Sequence, residues 1–260
     1  TASKPCILIV GASAAGFNAA KSARALDTQC RVVLVSDEPV APYHRPLVTE
    51  LVARPDLAAS ASFQLAPSLD WFASNGIELL LDSAVTAVDM ATHTATLARG
   101  LSQPTSTTTE QLHFDKLVLA TGCTCRPPAP DLPTENVFAV RTAFDMARLQ
   151  ECLRTRSPEP QARLRLCVLG GGLASLELAQ SFVSAGYQHV HVVEVAPTIL
   201  PNQLPPEAAQ LYRELVEAQG VHLHLGCTVS AITASEGKRA VESVTLTTGQ
   251  VLDVDVLCYA

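Results

Sequence analysis

The stretch Ile7-Leu8-Ile9-Val10-Gly11-Ala12-Ser13-Ala14-Ala15-Gly16 decides the fold. Ile7–Val10 is a short β-branched run, and a turn of small residues, Gly11–Gly16, follows it directly. An Ala-rich helical stretch then runs from Phe17 to about Leu26, and Arg31–Val35 is a second apolar strand ending in Ser36-Asp37-Glu38. Strand, glycine turn, helix, strand, acid is the opening of a dinucleotide-binding βαβ unit. The order returns later in the chain. Leu164–Leu169 is a strand, Gly170-Gly171-Gly172-Leu173-Ala174-Ser175 the turn, Leu176–Ala185 a helix, and His189–Val193 a strand closed by Glu194. A single glycine turn is often no more than a turn; two in the same context support each other.

Each turn position answers a physical need. Gly11 and Gly170 permit a tight turn at positive φ. Gly172 would let the backbone approach a pyrophosphate, and Ser13 holds that place in the first copy. Close helix–strand packing asks for a small residue, which Gly16 meets fully and Ser175 meets as a substitute. Ala14 and Ala15, like Leu173 and Ala174, lie in the turns that lead to a helix N-terminus, whose unpaired N–H groups and positive dipole end would face phosphate oxygens. Glu194 closes the second copy as the acid for ribose hydroxyls. Val195-Ala196-Pro197 follows it with no Arg or Lys for a 2′-phosphate, so NADH is expected over NADPH. In the first copy Ser36 holds the usual acid position, and Asp37 and Glu38 are the candidates next to it.

Composition bounds the rest. The chain has 260 residues, a length for one large or two modest domains. Its net charge of −7, with no basic block, argues against nucleic-acid and anionic-membrane binding. With 48% hydrophobic and 17% charged residues it can bury a sizeable core. No apolar run approaches the ~18 residues of a transmembrane helix. Eight cysteines contain no C-x-x-C pair, and Cys123-Thr124-Cys125 is the one close pair. The expectation is unpaired thiols in a reducing, intracellular compartment, cytoplasmic or mitochondrial. A removed presequence or a chosen expression boundary would each explain the start at Thr1.

Between the copies, Trp71–Gly76 reads as a helix end, and Ile77–Leu81 and Ala84–Asp89 as strands. Thr92–Leu97 should form a hairpin with residues beyond the polar stretch Ser102–Glu110, itself expected to be a mobile loop tip. Lys116–Ala120 reads as a buried strand leading to Thr121-Gly122, and Arg126–Pro133, with four prolines, as an extended linker. After Glu194 the pattern predicts a helix over Glu207–Gln219, a strand His222–Leu225, a hairpin of Val241–Thr247 with Val251–Val254, and a last strand Val256–Tyr259. His189, His191, His222 and His224 alternate on strands without accompanying Cys or carboxylates, so they are expected to face solvent and no metal site is expected. His44 reads as an exposed turn residue and Trp71 as helix packing. No Ser/His/Asp triad can be assembled. The fold class is α/β: two Rossmann-like dinucleotide-binding modules, residues 1–125 and 126–260.

Taken together these motifs resemble the pyridine-nucleotide-dependent flavoprotein reductases, in which an FAD domain is interrupted by an NAD(P)H domain. Val10–Gly16 is similar to that family's FAD fingerprint, in the serine form of its ferredoxin-, rubredoxin- and nitrite-reductase-like branch. Pro42-Tyr43-His44-Arg45-Pro46-Leu47 resembles the branch's Tyr-x-Arg-Pro-Leu segment, which implies that Arg45 and Pro46 lie along the flavin. Leu117–Gly122 resembles the Ala-Thr-Gly segment, implying FAD contacts from Ala120, Thr121 and Gly122. Gly170–Ala179 resembles the NAD fingerprint and implies that Glu177, the nearest to a catalytic residue, lies by the nicotinamide. The resemblance thus implies electron transfer from NADH through FAD to an acceptor such as a small redox protein.

Departures from the family pattern are equally specific. No cysteine lies between Val40 and Val52, so dithiol chemistry is not expected. Glu50 stands where several members carry a Lys near the flavin. The residues given end at Ala260, before the family's Gly-Asp motif and C-terminal domain, so the FAD module is expected to lack its C-terminal half. That predicts weakly held FAD and a partner subunit or continuing chain on the open face, within an oligomer or larger complex. The alternative is a non-catalytic interaction subunit that retains a shortened reductase fold.

Overall fold

The computed structural model describes residues 4–156, 163–237 and 239–260. They form two compact units: the chain up to Arg45 with Ala59–Cys123, and Pro46–Ala58 with everything from Thr124.

In the first unit, β1 (Cys6–Val10), α1 (Ala14–Leu26), β2 (Arg31–Val35), α2 (Asp70–Ser74) and β3 (Ile77–Leu80) precede β4 (Ser83–Asp89), β5 (Thr94–Arg99), β6 (Thr108–His113) and β7 (Lys116–Leu119). The parallel sheet has the order β3-β2-β1-β7. β1 and the Val32–Val35 part of β2 read as apolar runs because both faces are covered. Glu78 of β3 and Lys116 and Leu119 of β7 are exposed, so Lys116–Ala120 is not the buried strand expected. Phe17 and Ala20 of α1, with Phe72 of α2, cover one face, and Ala95, Leu97 and Leu112 of the antiparallel β4-β5-β6 sheet cover the other. Trp71 packs on Phe17 and Phe72 at ring separations of 5.5 and 5.3 Å, the helix-packing role expected of it. The chain leaves β1 toward β2 on one side and places β7 on the other. This reversal opens a crevice beyond the carboxyl end of β1, where open α/β sheets take their ligands.

The second unit repeats the plan. Its elements are β8 (Val137–Ala139), α3 (Ala143–Arg156), β9 (Arg165–Leu169), α4 (Leu173–Ser184), β10 (His189–Glu194), α5 (Pro206–Ala218), β11 (Val221–Leu225), β12 (Val229–Ala234), β13 (Val241–Leu246), β14 (Val251–Asp253) and β15 (Val256–Tyr259). The parallel order is β11-β10-β9-β15-β8, so β9 is again the strand at the reversal. The antiparallel β12-β13-β14 sheet packs Val241, Val244 and Leu246 over Cys167, Val193 and Leu257. Asn136, fully buried, donates to Val241 O and Asp255 O at 2.8 and 2.9 Å and accepts from Val241 N at 2.8 Å.

Several expectations are corrected. Both motif helices begin three residues earlier than expected, at Ala14 and Leu173, because the small turn residues themselves enter the first turn. Ser102–Glu110 is not loop throughout. Ser102 bonds Asp82 through its N–H and hydroxyl at 2.8 and 2.7 Å, Pro104–Ser106 is a 3-10 turn, and β6 starts at Thr108. Nor do all four histidines face water. His191 and His224 are partly buried with ring nitrogens 3.1 Å apart, and His191 stacks on His222 at 4.9 Å. Burial, aided by the neighbouring imidazoles of His222, His224 and His189, lowers the His191 pKa to about 4. His44 is exposed as expected. Strands β8 and β12 and helix α3 were not anticipated. Among the described residues no helix is long and apolar enough to cross a membrane.

Candidate dinucleotide sites

In the first unit the turn after β1 closes on Gly11, at φ 100°, whose N–H donates to Val35 O at 2.9 Å. A methyl added at Gly11 would lie 2.2 Å from Ala120 O, and one at Gly16 would lie 1.7 Å from Gly11 O. Turn, helix start and the end of β7 are therefore nested, which brings Gly11, Gly16 and Ala120 together. Ser13 is the N-cap of α1 but makes no side-chain capping bond, and the first turn holds no acid. Ala14 and Ala15 are exposed there. The opening N–H groups of α1 receive no side-chain cap and suit an external acceptor. Thr121 and Gly122, the latter at φ 70°, are exposed just beyond β7.

The acids that follow β2 divide their roles. Glu38 accepts from the Tyr43 hydroxyl at 2.7 Å and from Arg45 at 2.6 Å. Tyr43 in turn stacks on Phe63 at 5.0 Å, and the Arg45 guanidinium lies over the Tyr43 ring at 5.4 Å. Burial opposes the Arg45 charge, but Tyr43, Glu38 and Asp37 outweigh it and raise its pKa. Glu38 thus fixes Arg45, while Asp37 is the exposed acid at the strand end. Sequence reading missed Tyr43, although the Tyr-x-Arg spacing was its signal.

The second unit has the same construction with more space. Gly170, at φ 105°, donates to Val193 O at 2.8 Å, and Ser175 is buried with its hydroxyl 3.4 Å from Leu169 O. Gly172 is the N-cap of α4 and makes no side-chain capping bond; no acid lies in the first turn, where Leu173 is exposed and Ala174 partly so. A methyl added at Gly172 would meet nothing within 4 Å, so the space over the helix start is open. Glu194 closes the turn, accepting from Ala196 N at 2.7 Å and from Gly171 N. A methyl on Gly171 would lie 2.8 Å from Glu194 Cγ. Gly171, not singled out from the sequence, is what lets this acid lie against the turn. Open glycine, uncapped helix start and a carboxylate held by backbone amides fit the phosphates and ribose of a dinucleotide.

Glu177 is exposed on α4 and accepts from Thr49 Oγ1 at 3.3 Å, and Pro46 O lies 3.5 Å from the same hydroxyl. Glu50 pairs with Arg54 at 3.1 Å. None of the eight cysteines is in a disulfide; Cys123 is exposed, and Cys167 is buried so deeply that desolvation pushes its thiol up to about 12. Among the described residues no group of His, Cys, Asp and Glu is arranged to hold a metal.

Comparison with known proteins places this geometry. The family described as pyridine nucleotide-disulphide oxidoreductase matches residues 5–260. The rubredoxin-NAD(+) reductase of Pseudomonas putida is 29% identical over 259 residues, 96% of this chain and 60% of the relative. The nitrite reductase [NAD(P)H] large subunit of Klebsiella oxytoca is 32% identical over 90% of this chain and 22% of its own length. Among solved structures, the covalent putidaredoxin reductase–putidaredoxin complex superposes with a TM-score of 0.83 at 27% identity, covering 98% of this chain and 58% of the matched one. The chain therefore spans about 60% of the rubredoxin reductase and less than a quarter of the nitrite reductase subunit.

Proposed function

The chain belongs to the pyridine nucleotide-disulphide oxidoreductase family, and from that premise we propose that it forms the nucleotide-binding part of an NADH-dependent flavoprotein reductase. The observation that carries the reading is the pair of uncapped helix starts, each behind a tight glycine turn, the second with open space over Gly172, and each followed by a strand with an acid at or just beyond its end. FAD and NADH, the cofactors on which this family relies, supply the redox chemistry, so the protein's task is binding, orientation and electrostatics. Gly11, Ser13, Ala14, Ala15 and Gly16 would take the FAD pyrophosphate at the start of α1. Asp37 would serve the ribose, and Arg45, Pro46, Ala120, Thr121 and Gly122 would border the rest of the cofactor. Gly170, Gly172, Leu173, Ala174 and Ser175 would take the NADH phosphates, with Glu194 on the ribose and Glu177 toward the nicotinamide.

A small redox protein is the acceptor this reading favours, in line with the rubredoxin and putidaredoxin named with the similar reductases. A non-catalytic interaction subunit gains no support from these relatives, which are themselves reductases. An intracellular, reducing location belongs to the same proposal, in line with eight cysteines of which none is in a disulfide. The test is the visible spectrum of the protein purified with added FAD, followed by anaerobic NADH. Flavin absorption that NADH bleaches is the expected result. Absence of bound flavin together with absence of NADH binding would refute the reading.

A further inference from the structure

The segment Pro46–Ala58 clusters with the second unit, and a cleft of about 520 Å3 there is lined by Pro46, Thr49, Arg54, Glu177, Gln180 and Ser184, among others. Its size is in the range of small-molecule sites. The polar groups within it are held unequally. Glu177 is exposed, and a free Glu side chain wanders among many rotamers. Thr49, by contrast, is only 2% exposed. Its β-branched stem is stiff at χ1, and its buried hydroxyl must find an acceptor.

That hydroxyl carries one proton and has two oxygens in range, Glu177 Oε2 at 3.3 Å and Pro46 O at 3.5 Å. The nearer is a carboxylate, and charged acceptors make the stronger bond. The neighbouring acid does not compete, because Glu50 pairs with Arg54 at 3.1 Å. A stiff, buried donor thus meets an exposed carboxylate on a side chain with many rotamers.

We infer that Thr49 is a positioning residue for Glu177: its hydroxyl selects the rotamer that presents the carboxylate at the cleft, and so orients the nicotinamide end of NADH. The inference rests on the dinucleotide reading above and deepens it. Thr49 acts through Glu177 and touches no cofactor itself.

The test is a variant cycle in the full chain, reading NADH dissociation constants by nicotinamide fluorescence. Thr49→Val keeps the shape and removes the hydroxyl; Thr49→Ser keeps the hydroxyl. Thr49→Val should weaken NADH binding about fivefold, Thr49→Ser should restore it, and Glu177→Ala should weaken it at least as much. In the Glu177→Ala background, Thr49→Val should add nothing, since coupled residues are non-additive. The positioning role is overturned if Thr49→Val is silent, if Thr49→Ser fails to rescue, or if the effect persists without Glu177. A silent Glu177→Ala overturns the role of Glu177 and the inference with it. If the unaltered chain binds no NADH, the dinucleotide reading itself has failed, so the failures are distinguishable.

Discussion

At Glu194 both carboxylate oxygens are held by backbone amides, those of Gly171 and Ala196, in a partly buried turn. A 2′-phosphate brought there would meet a like charge with no cation beside it. NADH should therefore bind at least about fivefold more tightly than NADPH, ~1 kcal/mol, and Glu194→Ala should bring the two toward parity. Parallel titrations of both reduced nucleotides check this. Gly16 makes a different demand: a methyl there lands 1.7 Å from Gly11 O, which is backbone and cannot swing aside. Gly16→Ala should destabilise the first unit by ~1–3 kcal/mol or more, read as a fall in the urea midpoint.

On the scale of the elements, Asn136 ties the entry of β8 to β13 and to the loop before β15 through three bonds. Asn136→Ala would leave Val241 N, Val241 O and Asp255 O unsatisfied in a buried place. The expected cost is ~2–4 kcal/mol, measurable by denaturant unfolding. The β10–β11 pair carries the imidazole stack. Because burial holds the His191 pKa at about 4, below its ordinary value, the folded state keeps that ring neutral. The unfolded chain then binds more protons as pH falls. Stability is fully present above about pH 6.5 and should decline as pH falls through the folded pKa near 4. After allowance for solvent the contribution is on the order of 1–2 kcal/mol. Unfolding free energies measured from pH 7.5 to 4.5 should slope downward, and His191→Gln should flatten part of that slope.

For the molecule as a whole, two α/β units built on one plan each present an uncapped helix start behind a glycine turn, so ligand binding should be visible as stability. At 100 times its dissociation constant a ligand stabilises the folded state by about 2.7 kcal/mol. Gly172 tests the link cleanly. It has ordinary extended backbone at φ −81° and nothing within 4 Å of an added methyl. Gly172→Val should fold normally, yet its side chain would block the pyrophosphate approach and abolish the NADH-dependent rise in melting temperature. An undiminished rise would sever this turn from nucleotide binding.

The sequence by itself determined the two glycine turns, the strands flanking them and the acid Glu194, because backbone sterics and strand periodicity are local properties. Helix α3 was legible in principle from Met146, Leu149 and Leu153, but its charged, weakly apolar remainder masked the spacing. Strand β12 has apolar residues at Val229, Ala231, Ile232 and Ala234 but no clean alternation, and it exists through its pairing with β13. Tertiary structure alone decided that Glu38 belongs to Arg45 and Tyr43, that Gly171 makes room for Glu194, and that Thr49 reaches Glu177 across 128 positions of sequence. Glu38 meets Tyr43 and Arg45 only five and seven positions on, through a loop whose path the sequence leaves open, and Gly171 meets Glu194 through its backbone N–H. Thr49 and Glu177 are brought together only by burying distant segments against one another, which no local pattern encodes.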